Sequence, residues 1–373
     1  MTKPTAIITT LAAILLLFLG DRFPEYPERL RGFYPPLIGE RMEAIKMYNM
    51  TAASALRDLR EALNSNNVTL PIFRDRVGLK SDLLEPVSLC VGILTARRGA
   101  SPVSYLTQLV SSLLVRMDIP DKDVYFHVFN VDAAPDAHKE IEHVSDLIPV
   151  TRVKASRAFV KPGMKLQVKE QEALDYADAF RIFKTAKCSN ILMLEDDAFP
   201  SENWLSETRQ ALRELASKPR WFITRLYTKS RKARKEDGPK RLTSFNPGYN
   251  TVAVLVNGEF AGLFADRLDA EVEASLNGKV YFEAKDLYIS KFSYEEALSI
   301  HAVEPVIFQH TGFYSSLGSR KIIPTDRCTR GMTALHFDSE YKPVVFNSSR
   351  LHINTAHRTE TLFGYLIRME FLP

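Results

Sequence analysis

Three consecutive carboxylates, Glu195, Asp196 and Asp197, end an apolar run in "NILMLEDDAFPSENW". Four apolar residues before them, 191–194, read as a buried strand. Acids crowded at the end of such a strand repel one another and are costly to bury without a counter-charge. Adjacent acids there suit a hard divalent cation, Mg²⁺ or Mn²⁺. Such an ion keeps positions open for phosphate oxygens and water, so the run points to a nucleotide diphosphate. The competing reading is an acidic cap on the helix in "PSENWLSETRQAL". That helix starts after Pro200, with Ser201 as its more natural cap, which favours the metal.

The elements that must position these acids alternate. "VSLCVGILTARRG" is an apolar run with a polar, Gly-containing turn, and "SYLTQLVSSLLVRM" has helical spacing. "DVYFHVFNVD", 123–132, is again a strand with an acidic end, and "VKEQEALDYADAFRIFKTA" is an amphipathic helix leading into the acid-tipped strand. Strand, helix, strand, helix, strand with polar strand ends predicts a doubly wound, Rossmann-like α/β sheet. Ligands of such sheets bind beyond the carboxyl ends of the strands. The residues there are Thr95, Arg97, Arg98, Asn130, Asp132 and the three acids. Neither GxGxxG nor GxxxxGK[ST] occurs at the first turn, which disfavours a conventional dinucleotide site or a P-loop.

Further along, "VYFEAKDLYISKF" puts Glu283 and Asp286 at a helix start, and "AVEPVIFQHTGFYSSLG" is a strand over 306–309 ending at His310. "KSRKARKEDGPKR", 229–241, is a basic surface loop, and short alternating stretches after Cys328 suggest a small β-rich C-terminal tail.

The flanks speak to compartment. "PTAIITTLAAILLLFLG", 4–20, holds no charge and is near the lower length limit for a spanning helix. A cleaved signal peptide is the alternative, but Phe18, Leu19 and Gly20 make a poor cleavage site. Lys3 and the terminal amine bias the N-terminus toward the cytosol, with Arg22 weakening that bias. Sequons at Asn49, Asn67 and Asn347 agree with a luminal body. The expected organisation is an anchor over 1–20, a luminal stem over 21–85 and a catalytic domain over 86–373. Within the stem, the Pro-rich residues 21–40 read as extended, and 41–64 as a helix with an apolar stripe at Ile45, Tyr48, Ala52, Leu56, Leu59 and Leu63. A net charge of +4 is too mild to argue for nucleic acid. Three cysteines, Cys90, Cys188 and Cys328, allow at most one intrachain bridge, and their spacing does not say which.

The apolar strand ending in Glu-Asp-Asp resembles the DxD-type site of luminal GT-A glycosyltransferases. The order "VGILTARR … SYLTQLVSSLL … VYFHVFNVD … VKEQEALDYADAF … ILMLEDDAF … FQHTGFYSSLG", over about 86–318, resembles the N-acetylglucosaminyltransferase IV family. It resembles more closely the Golgi enzymes that add N-acetylgalactosamine to GPI-anchor glycans. The resemblance implies a GT-A fold, a UDP-GalNAc or related UDP-sugar donor, Mn²⁺ or Mg²⁺, a GPI-glycan acceptor and a type II Golgi membrane protein. It implies that Asp197 ligates the metal, that Asp196 supports metal and ribose, and that Glu195 orders the shell. His310 would be a further ligand, its alternative being a satisfied core histidine. Thr95, Arg97 and Asn130 or Asp132 would meet uracil and ribose, with Arg97 or Arg98 alternatively facing solvent. Asp175 would reach the nucleotide or sit as a surface charge.

Transfer with inversion needs one carboxylate base on the acceptor side. Asp286 is the candidate and Glu283 the runner-up, a helix N-terminal acid being the plain alternative. The animal GPI-modifying enzymes insert a pair of hydrophobic spans after the metal motif, where this chain has "TKSRKARKEDGPKRLTSF". The rival functions are an N-glycan branching N-acetylglucosaminyltransferase and an inert, anchored glycan-binding protein.

Overall fold

The structure, a computed structural model, describes residues 35–65, 86–98, 104–117, 123–153, 157–161, 163–218, 220–227, 241–244, 251–283, 285–304 and 306–310. The anchor segment 1–20, the sequons at Asn67 and Asn347, the basic loop over 229–240, "TGFYSSLG", Cys328 and the C-terminal tail lie outside them. Among the described residues no helix is long and apolar enough to cross a membrane.

Helix α1 (Pro35–Ser65) opens the described chain. It starts inside the stretch expected to be extended. Pro35 and Pro36 fall in its first turn, where their missing N–H groups have no intrahelical partner to lose. From the expected apolar stripe, Ala52, Leu56, Leu59 and Leu63 are buried, and α1 packs on α2 (Tyr105–Val115). Asn49 Oδ1 accepts from Ser104 N–H at 3.0 Å and from Gln108 Nε2 at 2.5 Å. Asn49, the asparagine of the first sequon, is thus half-buried at this contact.

Ten strands follow. β1 (Val87–Thr95), β2 (Val124–Asn130), β3 (Val150–Arg152) and β4 (Cys188–Glu195) pair in parallel. A 3₁₀ turn (Pro135–Ala137) and helix α3 (Glu140–Val144) lie between β2 and β3, and α4 (Val168–Thr185) precedes β4. Then come β5 (Ala198–Pro200), α5 (Trp204–Leu215), β6 (Trp221–Arg225), β7 (Arg241–Ser244) and β8 (Ala253–Asn257). Helices α6 (Gly258–Leu276) and α7 (Lys285–Glu295) lead to β9 (Ser299–Glu304) and β10 (Phe308–His310). The main sheet runs β3-β2-β1-β4-β8-β6-β9-β7, and β10 pairs with β5 alone.

The sheet is mixed rather than parallel throughout. β8 runs antiparallel to both β4 and β6, and β7 antiparallel to β9. Every described residue of β8 but the last is buried, so its apolar run reads the same in either direction, and direction is decided by the connections. Two expectations shift. The final strand begins at Phe308 rather than 306, and Ser201 does not cap α5. Its hydroxyl donates to Glu207 Oε2 at 2.6 Å instead.

Two apolar layers flank the sheet. Leu56, Leu109, Leu113, Trp204 and Leu205 from α1, α2 and α5 cover one face. Phe180, Phe183, Phe264, Leu268 and Phe292 from α4, α6 and α7 cover the other. Gly92 in β1 is required by that packing, because a Cβ there would meet Phe183 Cε2 at 2.5 Å. Cys90 and Cys188 form a disulfide between β1 and β4, with Cα atoms 5.7 Å apart. This is the pairing that spacing left open.

Candidate active site

The carboxyl ends of β1, β2 and β4 meet at one edge. Asp196 N–H donates to Leu94 C=O at 3.1 Å, which sets Asp196 beside Thr95. Thr95 Oγ1 then donates to Asp196 Oδ2 at 2.8 Å. A hydroxyl has one proton, so the 2.8 Å contact between His138 Nε2 and the same oxygen is a donation from the imidazole. Burial lowers the His138 pKa and keeps the ring neutral, consistent with an Nε2–H tautomer.

The counter-charge among the described residues is Arg98. Its Nη2 pairs with Asp196 Oδ1, and its Nη1 lies 2.9 Å from Asp197 Oδ2. Its guanidinium carbon stands 4.6 Å from the centre of the Tyr105 ring. Burial pushes the Asp196 carboxyl up, and Arg98 only partly offsets that. Burial acts the same way on Asp197, but Arg98 and His310 outweigh it and hold that carboxyl below the usual range.

His310 reaches Asp197 through the small second sheet. β10 pairs antiparallel with β5 in the register His310↔Ala198. That puts His310 Nε2 3.0 Å from Asp197 Oδ2 across 113 residues. Burial lowers the imidazole pKa, yet the Asp197 charge more than offsets it, and the net direction is up.

Glu195 turns the other way. Its Oε1 accepts from Thr251 Oγ1 at 2.8 Å and lies 3.8 Å from Lys285 Nζ. Lys285 also bonds Glu172 Oε2 at 3.2 Å and sits 4.9 Å from the Tyr176 ring centre. Burial works against this ammonium, but Tyr176, Glu195 and Glu172 more than offset it and raise its pKa. The three acids therefore do not converge on one point, and among the described residues no three His, Cys, Asp or Glu side chains form a ready metal cluster.

Arg97 N–H donates to Asp132 Oδ2 at 2.7 Å, and its Nε stands 3.8 Å away. Asp132 Oδ1 accepts from Ala134 N–H at 2.7 Å. Asn130 is buried, with Nδ2 on Pro135 C=O and Oδ1 on Asp132 N–H. These three side chains thus shape the turn after β2. Asp175 lies buried on α4, bonded by Gln171 Nε2 at 2.8 Å and pushed up to about 7 by burial. Asp286 occupies the first turn of α7, next to Lys285, and partly offsets the effect of burial on the Arg225 guanidinium at the end of β6. Glu283 is exposed, its backbone N–H 3.5 Å from Tyr288 Oη.

Sequence reasoning named the acids and His310 but missed Lys285, Thr251 and His138, and left Arg98 undecided. The demand of three acids for a cation was the available signal for Arg98. Nothing local distinguishes Lys285 from other lysines at helix starts.

Residues 89–245 match the family described as GPI-N-acetylgalactosamine transferase PGAP4. That span runs from β1 through β7 and includes the acids, while Asp286 and His310 lie beyond it. No curated protein matches. Among solved structures, mouse xyloside xylosyltransferase 1 is 14% identical, over 58% of this chain and 85% of that one, with a TM-score of 0.37. S. aureus TarS 1–349 in complex with UDP-GlcNAc is 12% identical, over 63% of this chain and 62% of that one, with a TM-score of 0.37. The galactosyltransferase LgtC is 13% identical, over 57% and 72%, with a TM-score of 0.31. Likenesses this distant carry no functional argument. The family match covers less than half of the chain and lies over the part of the mixed α/β sheet that carries the acids at its carboxyl edge.

Proposed function

We propose that this chain transfers N-acetylgalactosamine from UDP-GalNAc, with inversion, to the mannose core of GPI-anchor glycans. The family match across β1 to β7 carries this reading. We place the protein in the Golgi membrane as a type II protein, anchored by residues 1–20 with a stem over 21–85 and a luminal catalytic domain over 86–373. The apolar N-terminus and the Cys90–Cys188 bridge support an oxidising lumen.

The residues fit a divalent cation in chemistry. Asp197 Oδ2 and His310 Nε2 are 3.0 Å apart, and adjacent donors at ~2.1 Å from one ion are separated by about 3 Å. An oxygen and an imidazole suit Mn²⁺. When bound there, the ion would neutralise charge on the departing diphosphate. Thr95, Arg97 and the turn shaped by Asn130 and Asp132 border the side where uracil and ribose would lie. Lys285 ties the start of α7 to Glu195 and so fixes where Asp286 stands. In this mechanism Asp286 takes the acceptor hydroxyl proton as the oxygen attacks the anomeric carbon, with Glu283 as the alternative base.

The test is UDP release by the full chain in detergent, with UDP-GalNAc, UDP-GlcNAc, UDP-Gal or UDP-Glc and a mannose-containing GPI core, with Mn²⁺ or with EDTA. Mn²⁺-dependent release favouring UDP-GalNAc is expected. Preference for UDP-GlcNAc and an N-glycan acceptor would replace this reading with an N-glycan branching one.

A further inference from the structure

Asp197 Oδ2 is contacted at once by Arg98 Nη1 at 2.9 Å and by His310 Nε2 at 3.0 Å. Both oxygens of Asp196 are engaged, Oδ1 by Arg98 and Oδ2 by Thr95. One guanidinium therefore spans both acids, on the same carboxylate oxygen that a metal shared with His310 would use. Arg98 comes from residues 96–98, which continue β1 without regular secondary structure. Lys285, by contrast, is fixed in a helix.

We propose that Arg98 is a placeholder cation, holding Asp196 and Asp197 until a nucleotide diphosphate takes its guanidinium and frees Asp197 for a divalent ion. The proposal rests on the UDP-sugar reading above. Its physical basis is twofold. A guanidinium and a divalent cation repel when they share one carboxylate oxygen. The planar guanidinium fork also fits phosphate as well as it fits carboxylate, so its second partner is chemically equivalent to its first. The consequence is coupling: metal binds weakly alone, nucleotide strengthens it, and by reciprocity metal strengthens nucleotide.

The experiment titrates Mn²⁺ into the full chain in detergent, followed by electron paramagnetic resonance, with and without UDP. Wild type is expected to bind Mn²⁺ more tightly with UDP, within the usual ~5- to 150-fold range of such couplings. Arg98→Met is expected to bind Mn²⁺ alone about tenfold more tightly and to lose most of the enhancement by UDP. Arg98→Lys keeps a charge for folding but loses the fork, and should fall between the two. Unchanged Mn²⁺ affinity without nucleotide in both variants, alongside normal Mn²⁺–UDP binding in wild type, overturns the placeholder and leaves the transferase reading standing. Absence of Mn²⁺ binding in wild type even with UDP overturns both.

Discussion

Asp196 and Asp197 meet a guanidinium supplied by a loop, whereas Glu195, one residue earlier, meets an ammonium supplied by the first turn of a helix. The two cations differ in how they are held. Lys285 has Glu172 and the Tyr176 ring on α4 and Glu195 on β4 around it. Arg98 has the two aspartates and the Tyr105 ring, and its backbone lies in no helix or strand. β4 ends at Glu195, and the two aspartates lie in the turn that follows, so one acidic run serves two purposes. The helix-held side is built to stay. The loop-held side is built to exchange.

The largest effect expected from breaking this contrast is at the acids. Asp197→Ala should abolish both transfer and Mn²⁺-dependent UDP binding. Asp286→Ala should lower transfer by ~10²- to 10⁴-fold, the range of a general base, and leave UDP binding intact. UDP titration by calorimetry on both variants separates them, and equal loss would refute the division of labour.

Next comes the cation pair itself. Removing one partner of a buried ion pair costs ~3–5 kcal/mol. Glu172 and Glu195 are about a third exposed, so solvent screening reduces the expectation for Lys285→Met to ~1–3 kcal/mol. Thermal unfolding should show Mn²⁺ restoring stability to Arg98→Met and doing nothing for Lys285→Met. Rescue of both, or of neither, would erase the difference between the two sides.

Asp175 sharpens the comparison from the Lys285 side. Its carboxyl is pushed up to about 7 by burial, with Lys285 offsetting only part of it. The folded protein thus binds this proton more tightly than the unfolded chain, whose aspartate has the ordinary value near ~3.9. Its contribution to stability is fully present below about pH 4 and is lost as pH rises through about 7. Asp175→Asn should match wild type at pH 4 and exceed it by ~1–3 kcal/mol at pH 8, as read from denaturant midpoints. A variant no more stable at pH 8 would mean that Asp175 is not buried as a neutral acid.

The smallest effect belongs to Arg97, neighbour of Arg98 but with its side chain 48% exposed at 3.8 Å from Asp132. Arg97→Ala should change stability by less than ~1 kcal/mol. A loss as large as that of Arg98→Met would show that the two arginines share the role assigned to one.

Apolar runs and helical spacing along the chain made β1, β2, β4, α2 and α4 legible to within three residues, because each depends on local periodicity. Glu195, Asp196, Asp197 and His310 were legible as chemistry, since carboxylates at a buried strand end demand a partner. The direction of β8 was not, because a fully buried strand carries no orientation signal in its side chains. The convergence of Asp197 with His310 across 113 residues came only from the resemblance, not from the residues themselves. It is set by the pairing of β10 with β5, a contact between three-residue strands that no local pattern encodes.

The sequence by itself determined that negative charge would gather at the end of β4 and that a cation had to answer it. Only the tertiary structure decided which cation answers which acid. The end of β4 divides Glu195 from the two aspartates of the turn, and the segment after β1 and the start of α7 supply the two cations. A charge requirement is local to a few residues, whereas its satisfaction depends on where distant segments are packed.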